Sequence, residues 1–273
     1  MDAPRTVLTT GANSGIGLAT VIELARRGYQ SVGSVRSEAK AEIVAKAAAD
    51  AGVEVETILL DVADPEQCER AMAGLNLYGL VNNAGYGLNG AVEDVGDDEA
   101  KALFETMVFA PVRLARLALP RMRENGGGRI VNVSSIAGLT VAPLAGWYSA
   151  AKHALEAVSD ALRMEVANAG VKVVLVEPGG FKTGIWDEAE RDATKREGSA
   201  YTTAYERSLT AMRMGQRFMG EPSQVAKVIA AAVDSSRPRA RYLVGLDAQG
   251  MNLAWRLTPT PIRDRVTRMT LGL

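Results

Sequence analysis

The sequence predicts an α/β fold with a doubly wound, parallel sheet of seven strands, and two patterns along the chain support this. Short apolar, β-branched segments recur at residues 6–9, 30–35, 53–60, 79–82, 129–134, 171–177 and 242–245. Longer segments with helical periodicity lie between them, for example at residues 38–51, 65–73, 98–123, 148–167 and 222–233. Regular alternation of this kind is typical of right-handed crossovers that place helices on both faces of a parallel sheet.

A third observation is that no linker and no change in composition divides the chain. We therefore expect a single domain over residues 1–273, which at 47% hydrophobic residues is large enough for a well-filled core. The net charge is −1 and no basic stripe is present, so a nucleic acid is not an expected partner.

The cysteine and histidine content points away from disulfides and metal sites. Cys68 is the only cysteine, which excludes an internal disulfide and fits the reducing cytoplasm, where we expect the protein. We expect no secretion signal, because no N-terminal stretch combines a basic start with an apolar run. We also expect no stable membrane insertion, because no segment approaches about 20 apolar residues. His153 is the only histidine and adjoins Lys152 on a predicted helix, so we expect a structural or interface role for it and no metal site.

The C-terminal residues 258–273 alternate basic and apolar side chains. This pattern fits a short amphipathic helix that touches a membrane surface or a neighbouring subunit. The simpler interpretation is a solvated terminal helix that folds onto the domain.

The first strand runs into a glycine-rich turn formed by Gly11, Gly15 and Gly17, and an apolar helical pattern follows until Gly28. A strand, a glycine turn and a helix in this order form the context of a dinucleotide-binding loop. Glycines let the backbone approach a pyrophosphate, and the helix N-terminus offers free N–H groups and a positive dipole end. The spacing is G-x-x-x-G-x-G and not the commoner G-x-G-x-x-G, so this loop alone also fits a turn of an ordinary α/β domain.

Tyr148 and Lys152 lie four residues apart on a predicted helix, and Ser135 precedes the tyrosine by thirteen residues. Side chains at this helical spacing share one face, about 5–6 Å apart at Cβ. A phenol has a pKa of roughly 10, and a nearby opposite charge shifts the pKa of an acid downward by about 1–3 units. The pair is therefore a candidate for proton transfer near neutral pH, with Ser135 placed to hold a substrate oxygen.

Polar and glycine residues follow the predicted strands at one edge of the sheet. In doubly wound sheets, ligands bind beyond the carboxyl ends of the strands. The residues that follow the first, third, fourth, fifth and sixth strands are, in order, Gly11, Asp61, Asn83, Ser135 and Pro178. The sequence pattern therefore predicts that these residues meet at a common site.

Together, these motifs resemble those of the classical short-chain dehydrogenases/reductases. Residues 10–17 read TGANSGIG, residues 82–85 read NNAG, and residues 148–152 read YSAAK. With Ser135 and the later segment from Pro178 to Thr183, they occur in the order and spacing of that family and cover residues 5–185. The segment RYLVGLD at residues 241–247 resembles the branch related to hydroxysteroid dehydrogenases. The resemblance implies a Rossmann-like fold and hydride transfer between a nicotinamide and a carbonyl or alcohol carbon.

The resemblance also implies roles for three residues in the reaction. Tyr148 acts as general acid in reduction and as general base in oxidation. Lys152 holds the nicotinamide ribose and lowers the pKa of Tyr148, while Ser135 orients the substrate oxygen.

Further residues are implied to bind the cofactor. Thr183 binds the carboxamide of the nicotinamide, and Asn83 supports the ribose region. Asp61 and Val62 flank the adenine ring. The other positions that the resemblance assigns to cofactor binding, besides Tyr148 and Lys152, are Gly11, Asn13, Ser14, Gly15, Ile16, Gly17, Arg36, Ala84, Gly85, Pro178 and Gly179.

The residues that end the second strand favour NADP over NAD. An NAD enzyme of this architecture places an acidic residue about 20 residues past the glycines, on the ribose 2′-OH. Here the strand ends in Val35 and Arg36, and the first acidic residue after it is Glu38. Arg36 can form a bidentate pair with a 2′-phosphate. Asn13 argues against this preference, because NADP enzymes that resemble this chain often carry a second basic group there.

Met107 departs from the family pattern. The family carries an asparagine in an N-x-x-G context in this helix, and here Met107 and Ala110 take the places of the asparagine and the glycine. In the family, that asparagine helps to hold a water that connects the lysine to a proton relay. A thioether is a weak acceptor and cannot donate, so we expect the relay to be rerouted, for example through Thr106 or backbone carbonyls, or catalysis to be slower.

Residues 180–220 form the one irregular region and are rich in charged residues, Thr, Ala and Met. The resemblance makes this region the segment that covers the substrate. We expect Trp186 and Met212, Met214 or Phe218 to face the substrate, and packing of these side chains onto the body is an equal alternative.

The leading functional hypothesis is an NADP-dependent oxidoreductase that acts on a hydrophobic ketone or secondary alcohol, steroid-like or similar. A 3-oxoacyl thioester reductase is an alternative, in which Lys182, Lys195 and Arg196 would bind the phosphate of a carrier. A weakly catalytic NADP(H) sensor is an alternative of another class, which Met107 favours and the intact catalytic residues disfavour.

By analogy with the family, we expect a homo-dimer or homo-tetramer joined through the helices that follow the fourth and fifth strands.

Overall fold

The computed structural model of the protein describes residues 4–196 and 198–273. Within this part, nothing is described of the side chains of Ile185, Trp186, Asp187 and Ala189. The predicted orientation of Trp186 toward a substrate therefore lies outside the described residues.

The strands of the described residues form one parallel sheet. They are β1 (Thr6–Thr10), β2 (Gln30–Val35), β3 (Glu56–Leu59), β4 (Leu77–Asn82), β5 (Gly128–Val133), β6 (Val171–Pro178) and β7 (Arg241–Val244). Their order across the sheet is β3-β2-β1-β4-β5-β6-β7, and every neighbouring pair is parallel. The chain starts at β1, winds outward to β3, and then returns past β1 to β4. This confirms the predicted doubly wound, seven-stranded α/β fold.

Helices connect the strands and extend the chain beyond β7. They are α1 (Gly15–Arg26), α2 (Glu38–Asp50), α3 (Pro65–Ala73), α4 (Asp97–Phe104), α5 (Ala110–Glu124), α6 (Gly146–Glu165), α7 (Ile185–Lys195), α8 (Thr202–Gly215), α9 (Pro222–Asp234), α10 (Leu246–Leu257) and α11 (Thr260–Leu271). Among the residues that the structure describes, no helix combines the length and the apolar character that crossing a membrane requires.

Two apolar layers form the core, one on each face of the sheet. Successive residues of a strand point to opposite faces, so the central strands supply both layers. Leu8 and Ile130 belong to the layer that α3 and α5 cover, while their neighbours Val7 and Val131 belong to the layer under α1 and α9. Strands that are buried on both faces form nearly continuous apolar runs, which is why these strands were visible in the sequence.

Two of the predicted elements differ from the structure, namely the third strand and the helix before the fifth strand. β3 covers residues 56–59 and not 53–60, because Gly52 adopts a φ of +68° and the Val53 N–H donates to Ala48 O over 3.0 Å. Val53 therefore belongs to the turn that ends α2. The predicted helix over residues 98–123 is divided into α4 and α5 by a π-helical turn, Glu105–Phe109.

The carboxyl ends of the strands bring most of the predicted site residues to one edge of the sheet. Gly11, Asn83 and Gly179 directly follow β1, β4 and β6. Asp61 and Ser135 lie two residues beyond β3 and β5. Pro178 was predicted to follow the sixth strand, whereas it is the last residue of β6 and pairs with Val244.

Candidate active site

The glycine loop between β1 and α1 is closed tightly around Gly17. Gly11 and Gly15 adopt φ values of +67° and +51°, a region that favours glycine. A Cβ at Gly17 would overlap with the Gly11 carbonyl oxygen and would lie 2.5 Å from Asn83 Nδ2. The loop therefore requires glycine for its shape, and the free N–H groups at the start of α1 are available to an anion.

A hydrogen-bond network ties this loop to the end of β4. Thr10 Oγ1 accepts from the N–H groups of Asn83 and Ala84 over 3.0 and 2.9 Å. Asn83 Nδ2 in turn donates to the carbonyl oxygen of Thr10 over 2.9 Å. Thr10 was not among the predicted site residues, although it fixes two of them, because its hydroxyl bonds only become visible once β1 and β4 are paired.

A cleft of about 300 Å³ opens in front of the glycine loop. Its lining includes these predicted cofactor residues: Gly11, Asn13, Ser14, Gly15, Ile16, Gly17, Arg36, Asp61, Val62, Asn83, Ala84, Gly85 and Thr183. The structure therefore brings most of the predicted set together. Residues of the lining that the sequence had not singled out are Lys40, Leu60, Tyr86, Gly184 and Glu188.

Positive charge collects where β2 ends at this cleft. Arg36 and Lys40 both line it, together with Ser34. Within residues 4–196 and 198–273, the side chains of Arg36 and Lys40 form no ion pair. Asn13 had argued against a phosphate because it is not basic, and Lys40 is a second basic residue at the cleft. Its position in the first turn of α2, shortly after Arg36, was the feature of the sequence from which it could have been identified.

Four of the predicted cofactor residues are not among the residues that line the cleft: Tyr148, Lys152, Pro178 and Gly179. The N–H of Gly179 donates to Val244 O over 2.9 Å. A Cβ at Gly179 would overlap with the carboxylate of Asp247, which accepts from the N–H of Gly180 over 2.6 Å. The glycine at this position is therefore required by packing between β6 and the start of α10.

Ser135, Tyr148 and Lys152 converge between the end of β5 and the first turns of α6. Ser135 Oγ accepts from the N–H of Ala137 over 3.1 Å, which fixes the hydroxyl beside the phenol. Lys152 Nζ donates to Val133 O over 2.9 Å and lies 5.8 Å from the centroid of the Tyr148 ring. These three groups can hold a carbonyl oxygen and exchange one proton with it.

Burial dominates the acid–base properties of Tyr148 and Lys152. It raises the pKa of Tyr148, the charge of Glu188 adds to this, and the hydrogen-bond interaction with Ser135 opposes it. Burial also lowers the pKa of Lys152 to about 8, although the charge of Glu156 acts in the opposite direction. The net lowering of the pKa of Tyr148 that the sequence had suggested is therefore not found in this structure, because burial of the phenol outweighs the hydrogen-bond interaction with Ser135.

A group of buried charges behind Lys152 escaped the sequence analysis. Arg241 on β7 donates to Glu156 Oε2 over 3.0 Å and to Asp160 Oδ2 over 2.7 Å, and it lies 3.1 Å from Glu177 Oε1. The residues Glu156 and Glu177 are 6% and 2% exposed. Burial raises the pKa of both carboxyl groups, that of Glu177 to about 7. Lys152 is thus followed on α6 by a carboxyl group that belongs to a buried network.

Met107 lies in the π-helical turn, which is closed by a bond from the Ala110 N–H to Glu105 O. Its side chain is 2% exposed and belongs to an apolar cluster against which Tyr148 and Trp147 pack. A Cβ at Gly85 would meet the methyl carbon of Met107 at 3.2 Å. The thioether therefore fills the space between the end of β4 and the phenol.

Residues 180–220 contribute α7 and α8, and carboxylates of α7 bind the backbone on the other side of the site. The N–H of Gly87 donates to Glu188 over 2.8 Å and that of Asn89 to Asp192 over 3.1 Å. Of the side chains predicted to face a substrate, Met214 and Phe218 are 59% and 82% exposed. They therefore neither enclose the site nor pack onto the body in this structure.

A second, larger cavity of about 520 Å³ lies at the amino-terminal edge of the sheet, lined among others by Arg5, Tyr78 and Arg129. It contains none of the predicted site residues. Cys68 is buried, and among the described residues no cluster of His, Cys, Asp and Glu has the arrangement of a metal site. The candidate active site is the one at the carboxyl edge, where most of the predicted residues lie.

Comparisons with known proteins agree with this geometry. The family model for short chain dehydrogenases matches residues 5–194. Retinol dehydrogenase 8 of Bos taurus is 35% identical to this chain in a match that covers 88% of this chain and 81% of that protein.

Solved structures show the same fold over nearly the whole chain. A short-chain dehydrogenase from Streptomyces avermitilis has a TM-score of 0.79 and 34% identity, over 98% of this chain and 96% of that one. A variant of actinorhodin polyketide ketoreductase, solved with NADPH, has a TM-score of 0.77 and 29% identity, over 90% and 96% of the two chains. This chain belongs to the short-chain dehydrogenase/reductase family and is an NAD(P)-dependent oxidoreductase.

Proposed function

We propose that this protein transfers a hydride between NADP(H) and the carbonyl or secondary alcohol carbon of a hydrophobic small molecule. The observation that carries the proposal is the convergence of Ser135, Tyr148 and Lys152 at the carboxyl edge of the sheet, the same edge at which the glycine loop forms its cleft. The nicotinamide supplies or accepts the hydride when it is bound. The chain has to hold the reacting oxygen, exclude water and move one proton.

The hydroxyl groups of Ser135 and Tyr148 are the donors for the substrate oxygen. In reduction, Tyr148 gives its proton to that oxygen, and in oxidation it takes the proton back. Positioned proton transfer of this kind contributes roughly 10²–10⁴ in rate. Lys152 lies close enough to the phenol ring for its ammonium to stabilise the phenolate that remains.

The residues of the cleft fit a dinucleotide with a 2′-phosphate. The cleft in front of Gly15, Ile16 and Gly17 offers a pyrophosphate a place against the start of α1. Arg36 directly after β2 and Lys40 in the first turn of α2 provide two cations where an NAD enzyme would carry a carboxylate. A relative that was solved with NADPH supports the same preference.

Apolar side chains around Tyr148 favour a hydrophobic substrate. Leu88, Phe104, Met107 and Trp147 form one cluster with the phenol ring. The related retinol dehydrogenase is named for a hydrophobic alcohol, which agrees with this cluster. We further infer that residues 180–220 cover the bound substrate, since Glu188 and its helix already contact the loop beyond β4.

Cofactor titration tests the dinucleotide preference. Quenching of tryptophan fluorescence by NADPH and by NADH is compared for the wild type, Arg36→Ala and Lys40→Ala. We expect the wild type to bind NADPH more tightly, and each variant to lose affinity for NADPH by roughly tenfold while NADH binding stays unchanged. Tighter binding of NADH by the wild type would refute the NADP assignment.

The Tyr148→Phe variant tests the reaction itself. It keeps the ring and removes the proton donor, so we expect turnover of a hydrophobic ketone with NADPH to fall by roughly 10²–10⁴. Cofactor affinity should remain that of the wild type. If Tyr148→Phe reduces the ketone as fast as the wild type, or if the wild type binds NADPH and reduces no ketone, the protein is better explained as a cofactor-binding sensor.

The structure does not favour a 3-oxoacyl thioester as substrate. The basic residues that would bind the phosphate of a carrier are already engaged by carboxylates. Lys182 pairs with Glu221, Lys195 with Asp192 over 3.0 Å, and Arg196 with Glu99 over 2.9 Å. We therefore keep the hydrophobic ketone or alcohol as the proposed substrate.

A homo-oligomer joined through α5 and α6 is part of the proposal. Phe109 at the start of α5 is 55% exposed, and Val112 on α5 is 40% exposed. Val158 and Met164 on α6 are 36% and 65% exposed. Sedimentation velocity tests this: a dimer or tetramer is expected for the wild type and a smaller species for Val112→Glu. A monomeric wild type would contradict the proposal.

A further inference from the structure

Helices α10 and α11 are held to the rest of the molecule by few buried side chains. Ala248 is the only buried residue of α10, and α11 has none. Helices shorter than about 12–15 residues are marginal in water, and most protein helices are stabilised by packing of an apolar face. Each of these helices has 12 residues, so an apolar partner surface would contribute strongly to their stability.

Both helices carry a continuous apolar stripe that faces solvent. On α11, Ile262, Val266 and Met269 recur at helical spacing and are 55%, 58% and 70% exposed. Leu253 and Leu257 form a matching stripe on α10 and are 60% and 73% exposed. A monomer rarely exposes a contiguous apolar patch of more than a few hundred Å². Stripes on two successive helices therefore indicate an interaction surface.

Basic side chains flank these stripes. Arg256 on α10 and Arg265 and Arg268 on α11 are exposed, and none of them forms an ion pair within the part of the chain that the structure describes. Arg263 stacks on Trp255 with its Cζ 3.6 Å from the ring centroid. Apolar side chains along one face of a helix with arginines at its border are a composition found in helices that lie in a lipid–water interface.

The exposed edge of residues 180–220 adjoins these helices. The Arg207 side chain on α8 donates to Met269 O over 3.3 Å, which links α8 to α11. Gly180 is bonded to Asp247 at the start of α10 and lies next to Met219. Phe218, the neighbour of Met219, is 82% exposed. The segment that we propose covers the substrate therefore contacts both α11 and α10.

We propose that α10 and α11 dock this protein on the surface of an anionic lipid membrane, with their apolar stripes among the acyl chains near the headgroups. We call the stripe residues together with Arg256, Arg265 and Arg268 the C-terminal surface. Each arginine near an anionic bilayer contributes about 1 kcal/mol to binding. A second copy of this chain fits less well, because a two-fold contact places the same patch against itself and brings these arginines together.

Vesicle sedimentation tests the proposal with the full-length chain. The probes are vesicles of phosphatidylcholine alone and of phosphatidylcholine with phosphatidylglycerol. We expect the wild type to partition onto the anionic vesicles at least about tenfold more strongly, and added salt to reduce this. Equal partitioning onto both kinds of vesicle, or none onto either, would overturn the proposal.

Two kinds of variant separate the apolar from the charged contribution. Val266→Glu should weaken vesicle binding by roughly tenfold or more, since a charge would have to enter the interface. Arg265→Gln and Arg268→Gln should each weaken it by roughly fivefold. Ile43→Glu is the matched control, because Ile43 is 48% exposed on α2 and should not affect binding.

The thermal midpoint of each variant confirms that the fold is kept. Sedimentation velocity without vesicles identifies the other possible occupant of the surface. If Val266→Glu lowers the mass of an oligomer, a second copy covers the C-terminal surface and the membrane proposal is wrong. If Ile43→Glu weakens vesicle binding as much as Val266→Glu does, the added negative charge alone explains the weaker binding, and the proposal is also wrong.

Discussion

At the residue scale, Gly17 shows how little space the dinucleotide loop leaves. A Cβ at this position would overlap with Gly11 O, so we expect Gly17→Ala to destabilise the protein by about 1–3 kcal/mol. Cofactor affinity should fall by at least roughly tenfold, because the loop has to widen. Urea unfolding and NADPH titration measure the two effects.

Gly74→Ala is the matched control for this prediction. Gly74 ends α3 with a φ of −86°, and a Cβ there would have no atom within 4 Å. Its stability should stay within about 0.5 kcal/mol of the wild type. A Gly17→Ala variant that unfolds and binds cofactor like Gly74→Ala would show that the loop is more adaptable than its geometry indicates.

Met107 gives a second prediction at this scale. Met107→Asn places a donor and an acceptor within the π-helical turn, at the position where the family has an asparagine, so we expect faster hydride transfer. One hydrogen bond of about 0.5–1.5 kcal/mol corresponds to a gain of roughly two- to tenfold. Stopped-flow measurement of single turnovers tests it, with Met107→Leu as an apolar control. A rate at or below that of Met107→Leu would contradict the expectation.

The site residues that the sequence predicts are those whose relations are local or belong to a motif. Tyr148 and Lys152 could be paired because their spacing puts them on one helical face. Arg241 and Glu156 are 85 positions apart, and only the pairing of β6 with β7 brings them together. Nothing in a single sequence indicates such a contact, because a surface arginine and a helical glutamate are both common.

At the scale of the element, α6 carries ionisable groups at three successive turns. Tyr148, Lys152 and Glu156 follow each other at intervals of four residues. The charge of Glu156 raises the pKa of Lys152, so Glu156→Gln should lower it further from its value of about 8. The ammonium would then be lost at a lower pH, and we expect the alkaline decline of kcat to move in the same direction.

Asp160→Asn is the control for this element, since Asp160 binds the same guanidinium over 2.7 Å but is 33% exposed in its side chain. Its kcat profile should match that of the wild type. The measurement is kcat for ketone reduction across neutral and alkaline pH. A shift of equal size in both variants would mean that Glu156 acts only through Arg241 and not on Lys152.

Other elements show where sequence patterns lose information. The π-helical turn differs from an α-helix by one extra residue, and the apolar periodicity of residues 98–123 continues through it. The bond from Ala110 to Glu105 is therefore visible only in the structure. The helices α7 and α8 lie in a region that the sequence showed as irregular, because their apolar residues are few and widely spaced.

At the scale of the whole molecule, buried charges should make stability depend on pH. The pKa of Glu177 is raised from 4.5 to about 7, so its contribution to stability is present below pH 4.5 and is lost as the pH rises through 7. The pKa of Lys152 is lowered from 10.5 to about 8, so its contribution is lost as the pH falls through 8 and is fully present above 10.5. One pKa unit corresponds to about 1.4 kcal/mol.

Urea unfolding of the wild type, Glu177→Gln and Lys152→Met measures these effects. The advantage of Glu177→Gln over the wild type should grow by up to a few kcal/mol between pH 4.5 and 7. The advantage of Lys152→Met should shrink between pH 8 and 10.5. Curves that run parallel at all pH values would show that neither group titrates differently in the folded and unfolded chain.

The sheet as a whole was predictable because its central strands are buried on both faces and alternate with helices. The side-chain contacts that the paired strands bring together were less predictable. The carboxyl edge gathers Gly11, Asn83 and Ser135 as the pattern suggested, yet the network behind Lys152 depends on how β7 pairs with β6. Strand order is a regular property of this fold, whereas individual long-range contacts are specific to the chain.

The place of Arg241 on the last strand has a consequence for how the protein is made. Every other member of the buried network leaves the ribosome before it, including Glu156 and Glu177. Until β7 docks on β6, these two carboxyl groups have no guanidinium, and burying them ionised is costly. We therefore expect a nascent chain to keep α6 loosely attached until its final quarter is translated, and to acquire a working active site only then.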